Sequence, residues 1–303
     1  MTRTINHVLQ EGTNLLKAES KENAQLDARL LLSNILNYNR VELIINKDKE
    51  IDKIVYDEYM SAIKSRVKGV PLQHITCEQE FMGLPFKVNA YTLIPRRETE
   101  ELVELALSLL DKDHNQLIMD IGTGSGCIPI SLASYNEKVN CIGIDLSQEA
   151  LKVAKLNGQI NAVADRITWI ISNLFNSIGE EYVETVDMLI SNPPYIKTED
   201  INSLMTEVRD FEPHMALDGG KDGLDFYRVI CRNSKKYLKC GGFIIFEIGY
   251  DQKNAVISLL EKNDFIDIQY KKDLSGKDRI VYARKKGTQQ SIISSRGELD
   301  YVK

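Results

Sequence analysis

The chain of 303 residues is long enough for one large domain and a smaller one. Its 43% hydrophobic and 27% charged residues are typical of a globular protein, and its net charge of −6 argues against stable nucleic acid binding over a wide basic face. The five cysteines form no C-x-x-C pair and do not cluster with the four histidines, so we expect no metal site. No signal segment or membrane-length apolar run is evident, which predicts a cytoplasmic protein without a membrane partner.

Residues 1–70 are predicted to form a small helical domain. Apolar residues recur at helical spacing over 26–36 and again over 55–63. Glycine and proline at 69–71 then break the pattern, which indicates a domain boundary.

Residues 71–96 are predicted to form a linker that carries a short β-hairpin. Short β-like runs occur at 81–88 and at 92–94. A helix is predicted over 98–110, because acidic residues at its start complement the positive end of the helix dipole.

Residues 97–284 alternate between apolar strands and amphipathic helices. This alternation predicts an α/β fold with a mainly parallel sheet covered on both faces. The last two strands are joined by a turn-rich segment and are predicted to form a closing antiparallel hairpin. The polar tail 285–303 is predicted to be flexible. The predicted strands are 117–121, 141–144, 167–171, 186–190, 243–246, 266–270 and 279–283.

A glycine-rich segment follows the first strand of this sheet and opens a helix. This glycine loop consists of Gly122, Thr123, Gly124, Ser125 and Gly126. Glycines let the backbone approach a ligand closely, although a tight strand-to-helix turn would also explain them. Asp145 ends the next strand, where an acid commonly binds ribose hydroxyls, so a nucleoside cofactor is favoured.

The residues around the glycine loop favour S-adenosyl-L-methionine over a dinucleotide. Cys127 occupies the third small position of the dinucleotide fingerprint, and the charge of Asp120 would oppose a pyrophosphate. Asn173, after the third strand, lies where a side chain that binds adenine is expected. It could equally cap the turn 172–174.

The segment Asn192, Pro193, Pro194 and Tyr195 directly follows the fourth strand. Consecutive prolines prevent both a sheet ladder and an immediate helix, so this Asn-Pro-Pro-Tyr segment should form a rigid ledge. A proline-rich turn without function is the alternative. Because ligands of doubly wound sheets bind outside the carboxyl ends of the strands, the segment and the glycine loop should face one crevice.

The Asn-Pro-Pro-Tyr segment suits methyl transfer to a planar NH₂ group. The lone pair of an amide or aromatic amine is delocalised, which makes the nitrogen a poor nucleophile. The Asn192 side-chain oxygen and the Pro193 carbonyl could accept both N–H hydrogens, while Tyr195 supplies an aromatic wall. Asn192 is also a candidate contact of the cofactor. Since a sulfonium is already an activated leaving group, alignment is the main task of the protein.

Several further segments carry a resemblance to a known family. The chain resembles the release-factor glutamine methyltransferases (HemK/PrmC type), which are class I S-adenosylmethionine-dependent enzymes, over roughly residues 20–283. An Asn-Pro-Pro-Tyr segment also occurs in DNA adenine methylases, so this segment alone does not indicate the family. It does so only together with the other segments. The segments are 71–75 (PLQHI), 80–84 (EFMGL), 93–100 (LIPRRETE), 212–217 (EPHMAL), 219–224 (GGKDGL) and 246–249 (FEIG).

The resemblance implies a Rossmann-like seven-stranded methyltransferase sheet with a small N-terminal helical domain that helps to bind the substrate. It implies methylation of the glutamine side-chain nitrogen in the Gly-Gly-Gln motif of class I peptide-chain release factors. Arg97 replaces the usual proline of the family, and Asn173 replaces a common acid. Leu174 is therefore an alternative contact for the adenine.

Three interpretations stay open at the level of sequence. Besides the release-factor enzyme, a related methyltransferase could act on a ribosomal-protein glutamine or on adenine in nucleic acid. The negative net charge argues against adenine as the substrate. A non-catalytic module that docks on translation factors would not need the glycine loop, Asp145 and the Asn-Pro-Pro-Tyr segment together. Arg96 and Thr99 could contact ligands or merely cap a helix, and Glu247 could be structural.

Overall fold

The computed structural model describes residues 3–19 and 21–287. Residues 288–303 of the predicted flexible tail lie outside the described residues. The chain forms two compact units. The first comprises the N-terminal region through Glu78, together with Val88–Ala90 and Leu204–Glu212. The second comprises Gln79–Lys87, Tyr91–Ser203 and the chain from Pro213 onward.

The helices and strands are numbered here in chain order. The helices are α1 (Ile5–Ala18), α2 (Ala24–Leu36), α3 (Arg40–Ile45), α4 (Lys53–Val67), α5 (Leu72–Thr76), α6 (Arg97–Leu109), α7 (Cys127–Tyr135), α8 (Gln148–Ile160), α9 (Thr206–Arg209), α10 (Asp225–Ser234) and α11 (Lys253–Lys262). The strands are β1 (Glu78–Phe81), β2 (Leu84–Lys87), β3 (Gln116–Ile121), β4 (Val139–Asp145), β5 (Ile167–Ile171), β6 (Val186–Ser191), β7 (Leu238–Glu247), β8 (Phe265–Lys272) and β9 (Asp278–Lys285). None of the helices in the described residues is long and apolar enough to span a bilayer.

The first unit is a bundle held together around Tyr59. This fully buried side chain of α4 donates a hydrogen bond to the Ala28 carbonyl of α2 over 3.2 Å. It also packs against Gly12 of α1, where a Cβ atom would lie only 2.2 Å from the Tyr59 hydroxyl. The glycine therefore allows α1 and α4 to approach closely.

An ionic cluster holds the segment Leu204–Glu212 within the first unit. The buried Arg66 guanidinium contacts Asp27 at 2.7 Å and Glu207 at 2.6 Å. The sequence division had assigned Leu204–Glu212 to the catalytic domain. The segment instead packs with the helices of the first unit, and its Glu207 pairs with Arg66, which lies 141 positions earlier; no local sequence pattern indicates such a contact.

The second unit contains the predicted seven-stranded sheet, in the order β5-β4-β3-β6-β7-β9-β8. Strands β3 to β7 are parallel, whereas β9 pairs antiparallel with both β7 and β8. The α/β fold class and the closing antiparallel hairpin predicted from the sequence are therefore confirmed.

Both faces of this sheet are covered, because neighbouring residues of a strand point to opposite sides. On β3, Met119 belongs to the core cluster that includes residues of α10 and α11, whereas Ile118 belongs to the cluster that includes residues of α6 and α7. The central strands consequently read as continuous apolar runs rather than as alternating ones.

The sheet order places a topological switch point between β3 and β6. The chain proceeds outward from β3 through β4 and β5, and then returns to the other side of β3 with β6. At such a point the loops that leave the carboxyl ends diverge and open a crevice. The glycine loop follows β3 and the Asn-Pro-Pro-Tyr segment follows β6.

Residues 92–94 do not form the β-like run that the sequence indicated. They lie in an irregular segment between β2 and α6. Pro95 removes a backbone donor that a sheet ladder would need, and Thr92 and Leu93 instead line a cavity. Helix α6 begins at Arg97. Proline is also favoured at the first position of a helix, so arginine in place of the family's usual proline does not disturb the start of α6.

Candidate active site

A cavity of about 500 Å³ opens at the carboxyl ends of β3, β4, β5 and β6. It is large enough for a nucleoside-sized ligand. Most of the residues singled out from the sequence line it. They are Gly122, Thr123, Gly124, Ser125, Asp145, Asn173, Leu174, Asn192, Pro193 and Pro194.

The glycine loop needs glycine for two different reasons. Gly122 and Gly124 have φ angles of +77° and +53°, and a Cβ atom at either position would meet no atom of residues 3–19 and 21–287 within 4 Å. Gly126 has φ +79°, but a Cβ atom there would lie 2.9 Å from the Trp169 ring. The first two glycines thus shape an open cradle, and the third permits close packing beneath it.

Asp145 ties the glycine loop to the end of β4. The Gly124 N–H donates to Asp145 Oδ2 and the Ser147 N–H donates to Oδ1, each over 2.8 Å. Burial raises the pKa of Asp145, and these backbone hydrogen bonds oppose that shift. Since each carboxylate oxygen can accept a second hydrogen bond, Asp145 can also accept from ligand hydroxyls.

Asn157 of α8 supports the loop from below and was not identified from the sequence. This buried side chain donates to the Ser125 carbonyl and the Lys87 carbonyl, and it accepts from the Lys87 N–H. A polar residue inside an amphipathic helix gives no sign of such a role. Only its burial, visible in the structure, reveals it.

Asp120 lies at the end of β3, beneath the glycine loop, and is fully buried. Within the described residues, neither of its carboxylate oxygens has a hydrogen-bond partner. Burial raises the pKa of Asp120 to about 7; the nearby Thr123 hydroxyl opposes this shift, and the charge of Asp145 adds to it. A buried acid in this position favours a cationic ligand over a pyrophosphate.

Asn173 and Leu174 both line the cavity beyond β5. The turn that follows is held by Ser172, whose Oγ accepts from the Ser177 N–H over 2.9 Å. Among the described residues, the Asn173 side chain makes no hydrogen bond, so it does not serve as the cap of this turn. Either residue is in position to contact a planar ring in the cavity.

The Asn-Pro-Pro-Tyr segment is anchored at both of its ends. Ser191 Oγ, just before it, donates to the Ile121 carbonyl over 2.6 Å. At the other end, Gln252 Nε2 donates to the Tyr195 carbonyl over 2.9 Å. Gly219 packs on the segment so closely that a Cβ atom would lie 2.8 Å from the Pro194 carbonyl. These contacts make the segment rigid, as its prolines predict.

The Tyr195 side chain is not among the residues that line the cavity. It packs against a core cluster that contains Tyr227 and Phe246, and burial raises the pKa of its phenol to about 12. The structure therefore does not bring Tyr195 to the place that an aromatic wall would require. Exposed Tyr91 and Met215 line the cavity and offer apolar surface there.

A chain of hydrogen bonds connects the Asn-Pro-Pro-Tyr segment to α6 and β7. Asn192 Nδ2 donates to Thr99 Oγ1 over 3.2 Å, and Thr99 Oγ1 donates to Glu247 Oε2 over 2.7 Å. The Thr99 hydroxyl is therefore engaged with Glu247 and makes no helix cap. The sequence had left the roles of Thr99 and Glu247 open.

The linker before α6 and the segment around His214 also contribute to the cavity, which periodicity did not indicate. For the residues within 93–100 and 212–217, the signal in the sequence is their place in the segments of the family resemblance, whereas Tyr91 and Thr92 lie outside those segments. From these two regions, the cavity receives Tyr91, Thr92, Leu93, Pro95, Arg96, Pro213, His214, Met215 and Ala216.

Comparisons with known proteins agree with this architecture. Residues 7–76 match the PrmC N-terminal domain, and residues 98–210 match the Methyltransferase small domain. The release factor glutamine methyltransferase of Clostridium acetobutylicum is 40% identical over 283 residues, which cover 93% of this chain and 99% of the relative. That of Geobacter sulfurreducens is 38% identical over 281 residues, covering 93% and 96%. A solved methyltransferase structure from Pyrococcus furiosus has a TM-score of 0.51 at 16% identity, covers 69% of this chain and 91% of that chain, and supports the fold alone.

The seven-stranded sheet and the cavity at its switch point define a Rossmann-like methyltransferase. The chain belongs to the release factor glutamine methyltransferase family. The comparisons confirm the family and the enzyme class, protein glutamine methyltransferase, that the sequence predicted. This membership implies an S-adenosylmethionine-dependent enzyme.

Proposed function

We propose that this enzyme transfers a methyl group from S-adenosyl-L-methionine to the side-chain nitrogen of the glutamine in the Gly-Gly-Gln motif of class I peptide-chain release factors. The observation that carries the proposal is that Asp145 and Asn192 line one cavity. A nucleoside cofactor and a planar acceptor can therefore meet there.

The residues around the glycine loop fit the proposed cofactor. The open space above Gly122 and Gly124 leaves room for its methionine portion, and Asp145 has lone pairs left for the ribose hydroxyls. The buried Asp120 carboxyl, when ionised, would supply negative potential beneath a ligand with ammonium and sulfonium groups. When bound, the cofactor supplies an activated methyl group.

The adenine end of the cofactor would lie against Asn173 or Leu174. Both residues line the cavity, and the Asn173 amide is not engaged elsewhere in the described residues. An amide side chain can both donate to and accept from an adenine edge, whereas a leucine would pack on its face. Both contacts are compatible with one bound ring.

The Asn-Pro-Pro-Tyr segment would bind and orient the acceptor amide. Asn192 Oδ1 and the Pro193 carbonyl can accept its two N–H hydrogens, which directs the nitrogen and favours positive charge on it as the new bond forms. The methylated nitrogen then loses a proton readily, so this chain needs no strong base. Pro194 lines the cavity next to these acceptors and limits their movement.

The identity of the acceptor protein is inferred from the relatives. The curated relatives of similar length are named for release factors, and the N-terminal unit of this chain matches the PrmC N-terminal domain. We assign that helical unit to docking of the release factor. The net charge of −6 argues for a protein substrate rather than nucleic acid.

The test is transfer of labelled methyl from S-adenosyl-L-methionine to a class I release factor, a ribosomal protein and DNA in parallel reactions. We expect label on the release factor, and none when its Gly-Gly-Gln glutamine is replaced by alanine. Labelling that survives this replacement, or that goes to DNA or the ribosomal protein instead, would contradict the proposal.

A further inference from the structure

Three side chains from distant parts of the chain form a relay that ends at Asn192. Asn192 follows β6, Thr99 lies in the first turn of α6, and Glu247 ends β7. Thr99 and Glu247 are only 3% and 1% exposed, so bulk water does not compete for their hydrogen bonds. The Tyr227 hydroxyl donates to the Glu247 carbonyl over 2.8 Å and fixes the end of β7. The relay is thus held by the core of the sheet.

The direction of the hydrogen bonds follows from the chemistry of Glu247. An ionised carboxylate can only accept, so the Thr99 hydroxyl must donate its single proton to Glu247. Thr99 Oγ1 then has only lone pairs left, and Asn192 must turn its Nδ2 toward them. The hydrogen bonds of Thr99 therefore determine which way the Asn192 side-chain amide is turned. The Asn192 Oδ1 consequently points away from Thr99, and no hydrogen bond to it is found among the described residues.

We propose that Thr99 and Glu247 are positioning residues that keep the Asn192 side-chain oxygen directed toward the acceptor amide. This inference rests on the proposed function, which requires an acceptor oxygen at that place. Without the relay, the Asn192 amide could rotate by half a turn and present two N–H donors to a substrate NH₂ group that also offers only donors. That orientation would repel the substrate nitrogen instead of orienting it.

Ionisation of Glu247 is therefore part of the relay. Burial raises the pKa of Glu247 to about 7, while the Thr99 hydrogen bond and the charge of Arg279 oppose the shift. Below that pH a protonated Glu247 can donate to Thr99, and the Thr99 proton becomes available to the Asn192 oxygen. Turnover should then fall as the pH decreases through about 7. The charged and titratable groups that act on Glu247 are Arg279, Arg96, Glu98, Tyr195, Tyr227 and Cys127.

The first experiment compares two substitutions of Thr99 in the full-length enzyme. Thr99→Val keeps the shape but removes the hydroxyl, whereas Thr99→Ser keeps the hydroxyl. We expect Thr99→Val to lower kcat about 10- to 100-fold, because the acceptor loses its orientation, with less than about threefold change in cofactor Kd or release-factor KM. Thr99→Ser should stay within about threefold of the wild type. Thr168→Val, at an exposed position of β5, is the matched control.

The outcomes separate the relay from the proposed function. If the wild type methylates the release factor but Thr99→Val and Thr99→Ser have the same kcat, the relay is wrong. An equal loss of cofactor affinity and kcat in Thr99→Val would indicate a merely structural role and also overturn the relay. If the wild type fails to methylate the release factor at all, the proposed function itself is contradicted.

Glu247→Gln provides a second test that does not depend on the stability of Thr99→Val. Glutamine cannot ionise and can offer Thr99 either an oxygen or an NH₂ group. We expect the fall of kcat below about pH 7 to disappear in this variant, and circular dichroism to show that it is folded. If folded Glu247→Gln shows the same fall of kcat at low pH as the wild type, the relay is contradicted.

Discussion

The two sides of the cavity are built by different means, although both lie at the carboxyl ends of neighbouring parallel strands. The glycine loop is held by the neighbouring β4 and α8: the N–H groups of Gly122 and Thr123 donate to the Ile144 carbonyl, and the side chains of Asp145 and Asn157 bond to the loop backbone. The Asn-Pro-Pro-Tyr segment is held by side chains from α6, β7 and the loop before α11. The proposed cofactor side is thus held by side chains 21 to 32 positions away in the chain, and the proposed acceptor side by contacts that span 57 to 148 positions.

This difference predicts that substitutions on the two sides of the cavity change different measurable properties. Damage to the glycine loop should affect folding and cofactor affinity, since the loop packs on the sheet and forms the cradle. Damage to the Asn-Pro-Pro-Tyr segment should affect turnover at saturating cofactor, since we propose that the segment orients the acceptor. Four substitutions test this separation.

The largest effect is expected for Asn192→Ala, which removes a proposed acceptor oxygen. We expect kcat to fall about 100- to 1,000-fold, as for other residues that stabilise developing charge, with less than about threefold change in cofactor Kd. Steady-state methylation kinetics and titration calorimetry measure the two quantities. Asn233→Ala, at an exposed position of α10, is the control. An equal loss of affinity and turnover would place Asn192 on the cofactor side.

Gly126→Ala tests the packing of the glycine loop. The new Cβ atom would have an unfavourable φ of +79° and would lie 2.9 Å from Trp169. We expect the free energy of unfolding to fall by about 2–4 kcal/mol, measured by urea denaturation. Gly276→Ala is the matched control, because Gly276 has the same φ of +79° but no atom of the described part of the chain within 4 Å of the added Cβ. It should cost only about 1–2 kcal/mol. If both substitutions lower the free energy of unfolding by the same amount, packing against Trp169 does not explain the need for glycine at position 126.

Asp145→Asn tests the proposed cofactor side: the asparagine oxygen can accept from only one of the Gly124 and Ser147 N–H groups, and its NH₂ group then faces the other. We expect cofactor Kd to rise about 10- to 100-fold, because hydrogen bonds to an ionised carboxylate are stronger than those to an amide, while kcat at saturating cofactor changes little. Calorimetry and kinetics with excess cofactor distinguish the two. Asp165→Asn, at an exposed position before β5, serves as control. A lower kcat with unchanged Kd would remove Asp145 from the cofactor side.

Asp120→Asn tests the buried charge beneath the loop and should have the smallest effect. Because the pKa of Asp120 is raised to about 7 from 3.8, the folded state binds more protons than the unfolded state between these values. Wild-type stability therefore falls as the pH rises through this window. Relative to the wild type, the free energy of unfolding of Asp120→Asn should increase by about 1–2 kcal/mol from about pH 5.5 to pH 7. A pH-independent difference would contradict the raised pKa.

The sequence predicted the local features of the site and missed the tertiary ones. Glycines at positive φ and consecutive prolines constrain their own backbone, so the glycine loop and the rigidity of the Asn-Pro-Pro-Tyr segment could be recognised from short patterns. The strands were found because buried parallel strands are continuous apolar runs; β6, for example, was predicted over 186–190 and spans Val186–Ser191.

Long-range side-chain contacts explain what the sequence could not reveal. Gln252 holds the Tyr195 carbonyl from 57 positions away, and Thr99 meets Glu247 from 148 positions away. No periodicity relates such residues. The direction of the Tyr195 side chain likewise depends on the core cluster that surrounds it, so its placement outside the cavity became evident only in the folded chain.

Mass spectrometry of a class I release factor after incubation with the enzyme and S-adenosyl-L-methionine tests the central claim most directly. We expect one added methyl group on the peptide that contains Gly-Gly-Gln, with fragmentation assigning it to the glutamine side chain. The same reaction with Asn192→Ala should leave that peptide almost unmodified. An unmodified peptide with the wild-type enzyme, or a methyl group on any other residue, would contradict the account.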